Sequence, residues 1–116
     1  MLNKIRLKVI ESYTSKYPDP ISFKKGDILK IGRKDIEYEG WVRVSTMNNN
    51  EGWAPEAYIN LRAIPAVAIK NYSAQELTTN VGDILEHIRT VNEWAWVRNS
   101  NGDLGWVPSK TVDLLG

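Results

Sequence analysis

Apolar residues occur along this chain in short runs separated by Gly, Pro, Asn and Asp, and no segment keeps a helical period over several turns. This pattern is typical of many short β-strands. It predicts strands near residues 5–11, 27–32, 40–46, 51–55 and 58–61, and again near 65–70, 83–89, 93–99, 104–108 and 111–114. The fold class is therefore predicted to be all-β.

The second half of the chain repeats the first. EGWAPEAYINL (51–61) corresponds to LGWVPSKTVDLL (104–115), and FKKGDIL (23–29) corresponds to TNVGDIL (79–85). A constant offset of 53 residues holds from Trp41 to Leu61 without a gap. Such self-similarity indicates a duplication. It predicts a first domain over residues 1–61, a short linker over 62–65 and a second domain over 66–116.

Each repeat is predicted to form a compact, five-stranded antiparallel barrel. Pro55 and Pro108 should end their strands, because proline cannot donate to a ladder, and the three residues after each suit a 3₁₀ turn. Tight hairpins are expected at 47–50 and 100–103. The predicted cores are apolar positions with strand alternation: Val9, Phe23, Leu29, Ile31, Val44, Ala54 and Ile59 in the first repeat, and Ala68, Leu77, Leu85, Val97, Val107 and Val112 in the second.

The predicted linker is short and apolar. Four residues reach at most about 14 Å when extended, so we expect a fixed tandem with Ile64 partly buried between the domains.

Composition narrows the function classes. The net charge is +1, which argues against nucleic-acid or membrane-surface binding. The chain has no cysteine and one histidine, His87, so neither a metal site nor a cofactor is expected, and no catalytic motif is present. Neither a signal peptide nor a membrane span is evident, which predicts a cytoplasmic protein. A piece of an exported protein would show the same pattern.

Both repeats resemble the SH3 (Src homology 3) domain family. The family has an A-L-Y-D-Y segment, a K-K-G-D stretch, a paired-tryptophan strand and a G-[FWY]-[VIF]-P step. The first repeat contains VIESY (9–13), PISFKKGDIL (20–29), GWVRV (40–44) and EGWAPEAYI (51–59). The second contains AIKNY (68–72), QELTTNVGDIL (75–85), EWAWV (93–97) and LGWVPSKTV (104–112). The resemblance implies two consecutive SH3-like barrels.

The resemblance also implies an aromatic groove that binds proline-rich peptides in the polyproline II conformation. In the first repeat the family's groove positions hold Tyr13, Trp41, Pro55 and Tyr58, with Glu11 replacing a tyrosine. Acidic residues in the loop before the tryptophan, namely Asp35, Glu37 and Glu39, would favour a ligand with a basic residue. The first domain is therefore expected to bind such a peptide.

The second repeat keeps fewer groove positions. Tyr72, Trp94 and Pro108 match, whereas Lys70 and Thr111 replace tyrosines, so this possible second groove is expected to bind proline-rich peptides weakly. Trp53 and Trp106 are expected to be structural. Two other non-catalytic functions stay open: a bacterial-type SH3 module that targets cell-wall peptides, and a structural assembly module whose aromatic surface is covered by another subunit.

Overall fold

The computed structural model describes residues 4–16 and 19–115, and within these the chain is all-β. The strands are β1 (Ile5–Val9), β2 (Ser22–Phe23), β3 (Ile28–Lys34), β4 (Trp41–Ser45), β5 (Glu51–Pro55), β6 (Ile59–Asn60), β7 (Ala66–Ala68), β8 (Tyr72–Ser73), β9 (Ile84–Val91), β10 (Trp94–Arg98), β11 (Leu104–Pro108) and β12 (Val112–Leu114). Two 3₁₀ helices, η1 (Glu56–Tyr58) and η2 (Ser109–Thr111), follow the prolines as predicted.

All ten predicted strands are present, and the all-β fold class is confirmed. The pattern missed β2 and β8, which are two-residue strands that pair only with each other and are too short to show alternation. The hairpins at 47–50 and 100–103 are confirmed. Asn49 and Gly102 have φ values of 66° and 88° there, a conformation that favours Asn and Gly.

Two antiparallel five-stranded sheets organise the fold. One has the strand order β11-β10-β9-β1-β12 and the other has the order β5-β4-β3-β7-β6. The first strand of the chain, β1, therefore completes the sheet of the second repeat. The first strand of the second repeat, β7, completes the sheet of the first.

Strand pairing documents this exchange. In β1, Leu7 pairs with Leu85 of β9 on one side and with Leu114 of β12 on the other. In β7, Val67 pairs with Ile28 of β3 and with Asn60 of β6. The two leading segments are homologous and have the same alternation, so each carries the hydrophobic pattern that either sheet requires.

The chain accordingly divides into two units that differ from the contiguous domains 1–61 and 66–116 of the sequence analysis. Unit 1 takes the part of the chain before residue 19 together with residues from 75 onward, and unit 2 takes residues 19–74. The duplication is visible in the sequence, but it does not reveal which leading segment joins which sheet.

The core of unit 1 contains residues from both repeats: Leu7, Val9, Leu77, Leu85, Ala95, Val97 and Val107, with Val112 packed at its edge. Val9 was expected in the core of the first repeat and lies here instead. In unit 2, Ala68 pairs with Ile59 and is buried. The expectation for Ile31 is wrong, because this side chain is 36% exposed where the β3–β4 register shifts.

The linker expectation for Ile64 is also wrong, because its side chain is 98% exposed. Within the described ranges, no helix is long and apolar enough to cross a membrane.

Candidate functional site

The exchange redistributes the predicted groove residues. Tyr13 lies in unit 1 together with Trp94 and Pro108. Trp41, Pro55 and Tyr58 lie in unit 2 together with Tyr72. Each set therefore combines a leading-segment tyrosine from one repeat with the tryptophan and proline of the other. Sequence reasoning identified the residue types but assigned each tyrosine to the wrong partners.

In unit 1, three side chains form what we call the composite groove: Tyr13, Trp94 and Pro108. Trp94 and Pro108 are directly opposite each other on β10 and β11. The Tyr13 ring meets the Trp94 ring edge-on, with centroids 5.9 Å apart and an interplanar angle of 78°. All three residues are half-buried. Partly exposed rings beside a proline provide the kind of apolar surface on which a ligand can dock.

Tyr13 is held in this position by hydrogen bonds on both its backbone and its side chain. Its N–H donates to the Thr79 carbonyl over 3.0 Å, and the Thr79 N–H donates back over 2.8 Å. Its hydroxyl donates to Glu76 Oε1 over 2.8 Å. The Lys16 N–H donates to the same oxygen over 3.1 Å. The ring orientation is therefore fixed before any ligand arrives.

Three acidic residues lie in or next to the segments that carry the composite groove. Glu76 contacts Tyr13, Glu93 directly precedes Trp94, and Glu11 stands two residues before Tyr13. The Glu93 carbonyl accepts from the Ser109 N–H over 2.9 Å, which fixes the start of β10 against the end of β11. The Lys16 Nζ atom lies 5.9 Å from the Tyr13 ring centroid, within cation–π range. This surface is already in contact with one cation of the chain itself.

Thr111, which replaces a groove tyrosine, supplies no ring to this surface. Its side chain is 1% exposed, and its hydroxyl donates to the Pro108 carbonyl over 2.7 Å. Its role is thus to close the turn of η2.

The aromatic set of unit 2 is closed. Trp41, Tyr58 and Tyr72 are 9%, 4% and 7% exposed, and Pro55 is fully buried. The Tyr58 and Tyr72 rings meet edge-on at 5.7 Å, and Tyr72 also packs on Phe23 at 5.3 Å. The expected exposure of Trp41 and Tyr58 is contradicted by these values.

Lys70, in place of a groove tyrosine, lies beside this closed set. Its Nζ atom is 5.2 Å above the Tyr58 ring centroid. The position that the family gives to an aromatic ring is therefore occupied by an ammonium group.

The acidic loop of the sequence analysis lies between β3 and β4 of unit 2. Asp35 Oδ1 accepts hydrogen bonds from the N–H groups of Glu37 and Tyr38, over 2.9 and 3.1 Å. The Asp35 N–H donates to the Trp41 carbonyl over 3.0 Å. Asp35 therefore caps its own loop, whereas Glu37 and Glu39 are exposed.

The other singled-out residues have local packing partners. Trp53 lies within cation–π distance of both Arg33 and Arg43, at 5.4 and 5.5 Å. Trp106 is 5% exposed and packs against Trp96 in a tilted arrangement, with centroids 5.0 Å apart and an interplanar angle of 57°. These contacts agree with structural roles for Trp53 and Trp106.

His87 is half-buried, and its Nε2 atom lies 2.8 Å from the Thr90 hydroxyl. Among the residues that the structure describes, no group of three or more His, Cys, Asp or Glu side chains is arranged to hold a metal ion.

Comparisons with known proteins identify the family of the first repeat as a contiguous segment. Residues 6–62 match the family model described as variant SH3 domain. The chain is 35% identical over 60 residues to Myosin-1 of Aspergillus clavatus, covering 51% of this chain and 5% of that protein. It is 29% identical over 86 residues to SH3 and PX domain-containing protein 2A of Homo sapiens, covering 74% and 7%. Human Intersectin-1 is 26% identical over an alignment of 132 residues, covering 92% and 8%.

The chain thus spans less than a tenth of the length of each of these relatives. The strand order of each sheet, the paired Gly-Trp-x-Pro steps and the family match all lead to one assignment. The chain belongs to the SH3 domain family, whose members are non-catalytic protein-interaction modules.

Proposed function

We propose that this protein binds proline-rich peptides carrying a basic residue, and that the composite groove of unit 1 is the binding surface. The observation that carries this proposal is the half-buried pair of Tyr13 and Trp94 in edge-on contact beside Pro108. A polyproline II peptide is largely pre-ordered, so docking on fixed rings loses little conformational entropy.

The charges around the groove support the preference for a basic residue. Glu11, Glu76 and Glu93 lie in or next to the segments that carry Tyr13 and Trp94. Exposed carboxylates attract a cation only modestly, and salt weakens the attraction. We therefore expect a modest gain for an arginine-containing peptide that declines as salt is added.

Isothermal titration calorimetry of the full chain with a short proline-rich peptide tests the proposal. Trp94→Ala should weaken binding by at least about tenfold, as loss of a central aromatic anchor does. Trp96→Ala is the matched control: it removes a half-buried tryptophan from the same strand, but one whose ring packs on Trp106. Equal losses in the two variants, or none in either, would reject the composite groove.

The closed set in unit 2 favours a second, structural role for the residues expected to form the first groove. Truncating a buried tryptophan typically costs about 3–5 kcal/mol of folding free energy. Trp41→Ala should therefore lower the free energy of unfolding strongly, as measured by urea denaturation. A Trp41→Ala protein of unchanged stability that has lost peptide binding would instead place the groove in unit 2.

The same titration also tests whether the protein binds a cell-wall peptide. Saturable heat with a peptidoglycan stem peptide, and none with the proline-rich peptide, would replace the proposed ligand class.

A further inference from the structure

A second surface of unit 1 lies on the outer face of its sheet. We define the outer face as the side opposite the core residues Leu7 and Val9, and strand alternation assigns side chains to it. Cross-strand pairing then extends the face from β1 to its neighbours: Arg6 is opposite Glu86, and Glu86 is opposite Arg98. Trp94 of the composite groove also lies on this face, four residues before Arg98 on β10, but it does not line the cavity described below.

Positive charge in unit 1 is concentrated on this outer face. The unit carries seven basic and seven acidic side chains, so its formal net charge is zero. Five of the seven basic residues project from the outer face, together with only two acids, Glu86 and Asp113. The basic residues are Lys4, Arg6, Lys8, Arg89 and Arg98.

A cavity of about 280 Å³ opens among these groups. Six of its lining residues are polar or charged: Lys4, Arg6, Glu86, Arg98, Asn99 and Ser100. A water molecule in the liquid takes up about 30 Å³. The cavity is thus large enough for a phosphate group with accompanying water.

The ion pairs inside the cavity are loose. Glu86 carboxylate oxygens lie 3.7 Å from Lys4 Nζ and 3.7 Å from an Arg98 nitrogen. Charge-assisted N–H···O bonds measure about 2.7–2.9 Å, so neither cation is closely engaged. Three cations therefore face a single carboxylate, and the local charge is positive.

The neutral groups in the lining complete a set of donors. Asn99 Oδ1 accepts hydrogen bonds from the N–H groups of Asn101 and Asp103, over 3.0 and 2.9 Å. The Asn99 oxygen is committed to its turn, so the amide NH₂ is the end that can donate elsewhere. Ser100 is exposed and adds a hydroxyl. Arginines with additional N–H and O–H donors match the three acceptor oxygens of a phosphomonoester.

We propose that this cavity binds a phosphorylated side chain of a partner protein. A phosphomonoester carries about −1.5 to −2 charges near neutral pH, enough to compete with Glu86 for Lys4 and Arg98. This depression is open to solvent and is bounded by only eight residues, a footprint that suits one phosphorylated side chain rather than an extended polyanion. Because SH3 domains are protein-interaction modules, the phosphate group is expected to belong to a partner protein. The surface would let unit 1 bind a phosphorylated segment independently of its groove.

The test is a titration of the full chain with an N-acetylated phosphoserine amide, followed by backbone amide NMR shifts, with the unphosphorylated compound as control. Saturable shifts should be confined to residues 4–6, 84–86 and 98–100. Arg98→Gln should weaken binding by about tenfold, the value of one charge-assisted hydrogen bond. Glu86→Gln should tighten it, because the competing carboxylate is removed.

Arg89→Gln is the matched control, since it removes a cation from the same face outside the cavity lining. It should change the affinity by less than about twofold. Equal losses in Arg89→Gln and Arg98→Gln would mean that only diffuse charge acts, and the site would be rejected. Absence of saturable shifts would also reject it.

A second experiment with lipid vesicles tests whether the phosphate group belongs to a lipid headgroup instead of a protein. Co-sedimentation with phosphatidylserine vesicles that is lost in Arg98→Gln, without any phosphoserine response, would overturn the assignment to a phosphoprotein. The amide spectrum of each variant shows whether it is folded. If Arg98→Gln does not fold, Arg98→Lys takes its place, because lysine keeps the charge but lacks the guanidinium fork.

Discussion

The exchanged position of β1 predicts where an engineered disulfide forms. The chain has no cysteine, so two introduced thiols have no competing partners. Lys8 and Asp113 are register partners on β1 and β12, and both are exposed. Antiparallel partners lie about 4.5–5.5 Å apart between Cα atoms, which suits a disulfide. Lys8→Cys with Asp113→Cys should therefore oxidise readily.

The magnitude follows from the loop that the bond closes. Residues 8 and 113 enclose a loop of about 105 residues, for which chain entropy predicts about 4.7 kcal/mol, before subtraction of any strain. Engineered disulfides often deliver less, so a gain of about 2–4 kcal/mol in the free energy of unfolding is expected. Urea denaturation with and without reductant measures it.

A second cysteine pair provides the control. Asn60 is the counterpart of Asp113 in the first repeat, and in this structure it pairs with Val67. If β1 remained with its own repeat, Lys8 would face Asn60. Lys8→Cys with Asn60→Cys should therefore cross-link poorly in the exchanged fold. Rapid oxidation of this pair, together with slow oxidation of the Lys8–Asp113 pair, would refute the exchange.

Three further outcomes test the packing and the groove. Lys16→Gln should tighten binding of an arginine-containing peptide by about twofold in calorimetry, because it removes the cation that already lies over the groove ring; weaker binding would contradict this. Gly105→Ala should destabilise the fold by about 1–3 kcal/mol, since a Cβ atom there would lie 2.7 Å from Leu77 Cγ; an unchanged urea midpoint would refute the close approach. Val97→Ala should lower the free energy of unfolding by about 2 kcal/mol, and Val81→Ala, at a 65% exposed site, by less than about 0.5 kcal/mol.

Local features were predictable because local chemistry determines them. Gly26 and Gly82 have φ values of 94° and 97°, and each is followed by an aspartate whose carboxylate accepts a backbone N–H three residues before it. In both turns the glycine takes the positive φ and the following aspartate closes the turn, so the geometry is built by adjacent residues. The prolines that end β5 and β11 likewise determine the start of each 3₁₀ helix.

The assignment of segments to sheets was not predictable in the same way. Val9 and Ala68 occupy equivalent positions, and both are buried, so either arrangement satisfies the hydrophobic pattern. Homologous segments present the same alternation to the same kind of sheet. Tyr13 was therefore expected beside Trp41, whereas the structure places it beside Trp94. The residue types of the site were readable from the sequence, but their grouping depends on long-range pairing.

The strand exchange makes each repeat depend on the other for a complete sheet. In an ordinary tandem, one copy can be lost, duplicated again or moved into another gene while its neighbour stays whole. Here, deleting residues 66–74 would remove β7 from the sheet of unit 2 and would also remove the segment that leads into unit 1. Deleting residues 5–9 would remove β1 from the sheet of unit 1. Loss of one copy would therefore deprive the other of the strand that it borrows, and the remaining copy would have to pair with its own leading segment instead.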